Sequence, residues 1–228
     1  MNHYYINYDL LIWIGLIISL LSQILVSSSY SKYKKVLNNK DKTGYEVARK
    51  ILDENNLNDI MILETKGTLN DHYDPTRKVI KLSTDIYHGS SIASAAVAAH
   101  ECGHAIQDKD GYKPMRIRSK IIPTVNICTK LGYVAIAIGC IFSYQLIEIG
   151  IILLATILAF ELVTLPVEFN ASKRALRQLE TLSLIDKEEK SKARNMLTAA
   201  AFTYVASLLT SLLEILRLVL IFGNRKDD

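Results

Sequence analysis

Apolar residues along this chain collect into three long blocks with two polar stretches between them. The first block, Leu10 to Val26, has no charged side chain, and the uncharged run continues to Ser31. As a helix it is long enough to span a bilayer. The second block, from about Ile121 to Val167, loses its apolar character near Gln145, where Ser143, Tyr144, Gln145 and Glu148 cluster. That dip predicts a hairpin of two membrane helices with both ends on one side. The third block, Leu197 to Gly223, is interrupted by Glu214 and Arg217, which lie three apart and can pair on one helical face. It reads as a further span, with packing in the membrane interface as the alternative.

The polar stretches carry other periods. Thr43-Gly44-Tyr45-Glu46 is a capping box that opens an amphipathic helix, with Val47, Ile51 and Leu52 on one side. Ile60 to Glu64 and Lys78 to Ser83 read as short strands, and an Asp74-Pro75-Thr76 turn precedes the second. Ser90-Ser91 offers an N-cap to Ile92–Ala99 (IASAAVAA), a strong helix former. The pattern divides the chain into an anchor (1–31), a polar α+β region (32–120), a membrane hairpin (121–167), a polar helical segment (168–196) and a C-terminal membrane helix with its tail (197–228). The expected fold class is a mainly α membrane protein with a small α+β cytoplasmic part and three to four transmembrane helices.

Composition agrees: 50% of the 228 residues are hydrophobic, and the mean hydropathy of +0.17 is high for a soluble globule. A net charge of +4 could suit a nucleic-acid partner. The cations, however, gather beside the apolar blocks: Lys32, Lys34 and Lys35 after the first, Arg116, Arg118 and Lys120 before the second, Lys173, Arg174 and Arg177 after it. Positive-inside anchoring accounts for them, so no nucleic acid is expected and all three flanks point to the cytoplasm. No Lys or Arg lies among the first nine residues. The first block therefore reads as an uncleaved anchor with its N-terminus outside, not as a signal peptide. Cys102, Cys128 and Cys140 fit no disulfide or zinc spacing and imply a reducing compartment, with Cys102 a small buried apolar residue.

The chemistry is concentrated in His100-Glu101-Cys102-Gly103-His104. Positions four apart share a helical face, so both histidines can present a ring nitrogen to one metal ion, with Glu101 beside the water that completes its shell. Zn²⁺ lowers the pKa of such a water, and the adjacent carboxylate can take its proton. Two incidental histidines on a surface helix are the bland alternative, which the apolar flanks disfavour. A catalytic zinc takes a third protein ligand. In Leu165–Ser172, Glu168 leaves the hairpin on the side of the motif, and Pro166 permits a bend or a new helix start with Glu168 in its first turn. By spacing alone Glu168 could equally be a solvated carboxylate at a helix N-terminus.

The runs AAHECGHAIQ, DHYDP, KVIKLS followed by YHG, and TLPVEFNASKRAL resemble a family of neutral zinc metallopeptidases of bacterial membranes. The likeness extends from about Asn70 to Phe222 and includes Thr198–Leu208. More distantly the arrangement is similar to membrane gluzincins that include prenyl-protein endopeptidases. The resemblance implies a zincin-like catalytic part, a Zn²⁺ cofactor held by His100, His104 and Glu168, Glu101 as base, and a bacterial plasma membrane location. Ser172 stands where the wider group has an Asp, and Asn170 where the closer family has one, which leaves the partner of a ligand histidine open.

Other expectations follow. His72, Tyr73, His88 and Arg174 could each contact substrate or the transition state. Lys78–Ser83 could align a substrate backbone along a strand edge. Lys130 and Glu161, equidistant from the expected hairpin turn, could face each other or a shared polar cavity near the zinc site, or snorkel separately. Gln107, Asp108, Lys109 and Asp110 are too polar for a motif helix within hydrocarbon, which excludes an intramembrane site. The reading is a zinc endopeptidase at the cytoplasmic membrane face acting on proteins or peptides near the bilayer. Its rival is a non-catalytic metal-binding scaffold or sensor, for which Glu101 would be superfluous.

Overall fold

The computed structural model describes residues 8–223. In chain order the elements are α1 (Asp9–Lys34), α2 (Gly44–Glu54), β1 (Met61–Thr65), β2 (His72–Asp74), β3 (Val79–Ser83), α3 (Thr84–His88), α4 (Ile92–Lys109), α5 (Lys113–Phe142), α6 (Tyr144–Leu154), α7 (Thr156–Thr181) and α8 (Lys187–Gly223). They fall into two units: one comprises the chain up to Gln23, Ile117–Leu165 and the chain from Thr203, the other Ile24–Arg116 and Pro166–Phe202.

The second unit is organised by α4. Ile92, Ala93, Ala95, Ala96, Ala98, Ala99 and Ala105 are all buried, and a helix apolar around most of its circumference belongs inside a core. Its alanines let neighbours approach closely. Val47, Ile51 and Leu52 of α2, Ile80 and Leu82 of β3, Ile86 of α3 and Met196 of α8 share this core. On α7, Val167, Ala171, Ala175 and Leu179 repeat every fourth residue and are fully buried. The caps form as expected. Ser91 accepts from the Ser94 N–H, and Thr43 and Glu46 each accept the other's backbone N–H. The segment before α2 is tied to the start of α4, because the Ile92 N–H donates to Val36 O and the Asn38 N–H to Ser90 O.

The sheet runs β1-β3-β2, with β1 parallel and β2 antiparallel to β3. β3 is therefore central. β1 pairs all of β3 on one side and β2 pairs Val79–Lys81 on the other, so most of Lys78–Ser83 is not the free edge expected; in this sheet of the described residues the outer edges belong to β1 and β2. In chain order β2 lies between the two strands read as Ile60–Glu64 and Lys78–Ser83. It is three residues long, and its last residue, Asp74, turns the chain by accepting from the Thr76 and Arg77 N–H groups. Tyr73 Oη and Lys78 Nζ both donate to Asp108 Oδ2 at 2.9 Å, which ties the sheet to the end of α4.

Pro166 starts no new helix. α7 runs through it, so Glu168 lies within a long helix and not in a first turn. Proline removes one N–H, and the buried row from Val167 to Leu179 holds the helix together beyond it.

Among the described residues, four helical stretches are long and apolar enough to cross a membrane: α1, α5, α6 with α7, and α8. Only 17% to 22% of each apolar window is buried, so most of this surface faces outward, where hydrocarbon suits it. In the first unit the expected turn falls at Ser143, between α5 and α6. α5 and α6 meet where both lack side chains: a Cβ on Gly150 would stand 2.8 Å from Gly132 O. Arg217 pairs with Glu214 at 3.7 Å, as expected, and also with Asp9 at 2.8 Å. Lys130 and Glu161 do not pair. Lys130 is exposed, while Glu161 Oε1 accepts from Ser207 Oγ at 2.6 Å and Ser211 Oγ at 3.0 Å. Both hydroxyls, one helical turn apart on α8, bond the same oxygen, and Glu161 Oε2 is buried with no hydrogen bond.

Candidate active site

α4 presents His100 and His104 on one face, with ring centroids 4.8 Å apart and planes at 87°. From α7, Glu168 Oε2 approaches His100 Nε2 at 3.3 Å and His104 Nε2 at 3.4 Å. One ligand atom from each residue lies within 4.8 Å of the other two. Zn–N and Zn–O bonds of about 2.0–2.1 Å at tetrahedral angles place neighbouring ligand atoms roughly 3.3 Å apart. The two His–Glu separations match that edge, and the donor set of two imidazoles and a carboxylate is one that suits zinc. Glu168 and His104 are buried, and His100 is slightly open.

The close approach of α4 to α7 depends on Gly103, between the histidines. A Cβ there would stand 2.5 Å from Ala171 O. Around the ligands the second ring nitrogens are engaged. His100 Nδ1 lies 3.2 Å from Ser172 Oγ, and His104 Nδ1 lies 3.0 Å from Gln107 Oε1. Gln107, fully buried, also donates through Nε2 to Val167 O at 2.8 Å and Asn170 Oδ1 at 3.0 Å. In the sequence alone, Gln107 reads only as one polar residue of the run Gln107–Asp110. Its distinguishing signal was its position three residues after a ligand, on a turn otherwise buried.

Burial pushes the Glu101 carboxyl above its ordinary value, while both histidines pull it down and Glu168 pushes it up again. Burial alone would lower the pKa of His104, but its bond to Glu168 and the nearby Glu101 charge raise it overall. Cys102 is buried, donates to Ala48 O at 3.6 Å, and has its thiol pushed well up by desolvation. It behaves as the small apolar residue expected, not as a ligand.

The remaining residues weighed as substrate contacts bond elsewhere. His72 Nδ1 is 2.8 Å from Asn70 O, and His88 Nε2 is 3.2 Å from Glu64 Oε2, both exposed. Tyr73 serves Asp108. Arg174 Nε donates to Asn170 Oδ1 at 2.8 Å and its Nη1 meets Asp110 Oδ2 at 2.5 Å. None of the four bonds directly to the ligand trio in these contacts.

A family model described as "Putative neutral zinc metallopeptidase" matches residues 8–223. The chain belongs to this family. Its match takes in every described residue and so includes His100, Glu101, His104 and Glu168 together. The chain is also 44% identical over 212 residues to "Putative membrane protease YugP" of Bacillus subtilis (strain 168), covering 92% of this chain and 94% of that protein. No solved structure matches. Membership of the family implies zinc, and the His100–His104–Glu168 trio is where this member could hold it.

Proposed function

We propose that the chain is a membrane-embedded zinc endopeptidase with its active site at the cytoplasmic face of a bacterial plasma membrane. The observation that carries this is the convergence of His100, His104 and Glu168 within 4.8 Å of one another, with Glu101 next to His100 on the same helix. Zinc held there supplies a Lewis acid that polarises a carbonyl and acidifies water. Glu101 accepts the proton of the attacking water and later delivers it to the leaving amine, a role its raised pKa suits. Glu168 and the two histidines hold the ion, and Ser172 and Gln107 orient the rings. The basic flanks of the apolar blocks support the cytoplasmic placement, and the likeness to a Bacillus protein named as a membrane protease supports a protein or peptide substrate at the membrane.

The test is Glu101→Gln in detergent-purified protein, assayed for bound zinc and for cleavage of a fluorogenic peptide library. The expected outcome is zinc content near wild type with turnover abolished. Cleavage at the wild-type rate would refute the mechanism. Bound zinc without cleavage in the wild type would favour the scaffold or sensor.

A further inference from the structure

Gln107 stands at the centre of a polar chain whose atom types can be read without ambiguity. The Arg174 guanidinium can only donate, so the Asn170 atom 2.8 Å from its Nε is an oxygen. The Gln107 amide atom facing that oxygen, and facing the Val167 carbonyl at 2.8 Å, is then the NH₂ group. Its other end, the carbonyl Oε1, meets His104 Nδ1 at 3.0 Å and can only accept. His104 Nδ1 therefore carries a proton, and in the neutral ring Nε2, on the Glu168 side, keeps its lone pair for a metal. Turning the amide over would set its oxygen against two acceptors, the Val167 carbonyl and Asn170 Oδ1. Asp110, just past the end of α4, holds the far end of the chain through Arg174.

We propose that Gln107 is a positioning residue with two tasks: it fixes the metal-binding tautomer of His104, and it bonds that histidine's helix to the turn of α7 that carries Glu168. The second task follows from sequence geometry, because Val167 and Asn170 flank Glu168 and both accept from the same buried NH₂. One amide thus sets the orientation of one ligand and the position of another. This rests on the proposed zinc site but not on peptide hydrolysis.

The experiment compares Gln107→Met, which keeps length and loses every hydrogen bond, with Gln107→Glu, which keeps an acceptor for His104 and loses the two donors. Zinc affinity is read by competition with a chromogenic chelator. The His104 tautomer is read from imidazole ¹⁵N shifts of metal-free protein at a pH where the ring is neutral. Both variants are expected to bind zinc roughly 10–100-fold more weakly, the range for losing such an outer partner. His104 should keep its Nδ1 proton in wild type and in Gln107→Glu, and lose that preference in Gln107→Met. Wild-type zinc affinity in Gln107→Met would overturn the proposal, as would the same tautomer in both variants. If neither variant folds, the wild-type spectrum alone decides: an unprotonated His104 Nδ1 overturns it. Failure to cleave any peptide would sink the peptidase reading while leaving these readouts intact.

Discussion

Gly103→Ala tests how closely the zinc site depends on the approach of two helices. The new Cβ would lie 2.5 Å from Ala171 O and 3.1 Å from its carbonyl carbon, about 0.9 Å short of the 3.4 Å at which ordinary contact begins. The opposing atoms are backbone, so no side chain can swing aside, and α4 and α7 must part locally. Alanine gains about 1 kcal/mol of helix propensity, while overpacking costs about 1–3 kcal/mol. The fold should therefore lose between nothing and about 2 kcal/mol, a fall in Tm of at most roughly 8 °C. The metal site is less forgiving. Metal–ligand distances tolerate about 0.2 Å, and Ala171 lies one helical turn from Glu168. Zinc affinity should fall at least about tenfold, the lower end of what misplaced ligands cost. Chelator competition and thermal unfolding on the same preparation separate the two effects. A variant with wild-type zinc affinity would show that α7 can shift without moving Glu168, and the reasoning would be wrong.

Glu168→Gln keeps the side-chain volume but removes the charge, and should lower zinc affinity markedly in the same competition assay; full zinc retention would send the search for a third ligand elsewhere. The raised pKa of His104 means that zinc displaces a proton there, so affinity should go on rising as pH climbs past the ordinary 6.5. In metal-free protein the sign reverses: this pairing stabilises the fold fully below 6.5 and is lost as pH rises through the raised value, so a metal-free Tm that climbs over that interval would contradict the assignment. Cysteine reporters labelled from outside intact cells should react at Gln145 and be spared at Asn55; the opposite pattern would overturn the cytoplasmic placement of the site. In the membrane unit, Lys130→Met and Glu161→Gln should have additive effects on stability, because Glu161 bonds to Ser207 and Ser211; a coupling above roughly 0.5 kcal/mol would restore the pairing that the sequence suggested.

Much of the site could be read from residue types and intervals because its chemistry is local. His100 and His104 share a face by helical geometry alone, and Ser91, Thr43 and Glu46 cap as their positions in the chain require. The apolar blocks likewise located the long helices and the turn at Ser143. What stayed hidden depended on distant partners. Whether Lys78–Ser83 was an edge or a centre strand turned on β2, a three-residue strand too short to show a period. Pro166 looked like a helix start because local propensity ignores the buried row Val167–Ala171–Ala175–Leu179 that carries α7 past it. Glu161 and Lys130 were matched by depth, yet two serines from α8 were nearer acceptable partners. Gln107 gave a polar signal whose meaning appears only when α7 is beside it.

The proposed ligand set is split along the chain: Ile24–Arg116 brings His100 and His104, and Glu168 follows only after Ile117–Leu165. On a ribosome this order becomes a schedule. The two histidines are made first, then the apolar hairpin, and the carboxylate last. A nascent chain halted before residue 168 carries an incomplete metal site, however well its first half has folded. The interval needed to make the membrane helices thus separates synthesis from the capacity to hold the ion, and a soluble fragment cut from the first half alone would inherit two ligands of three.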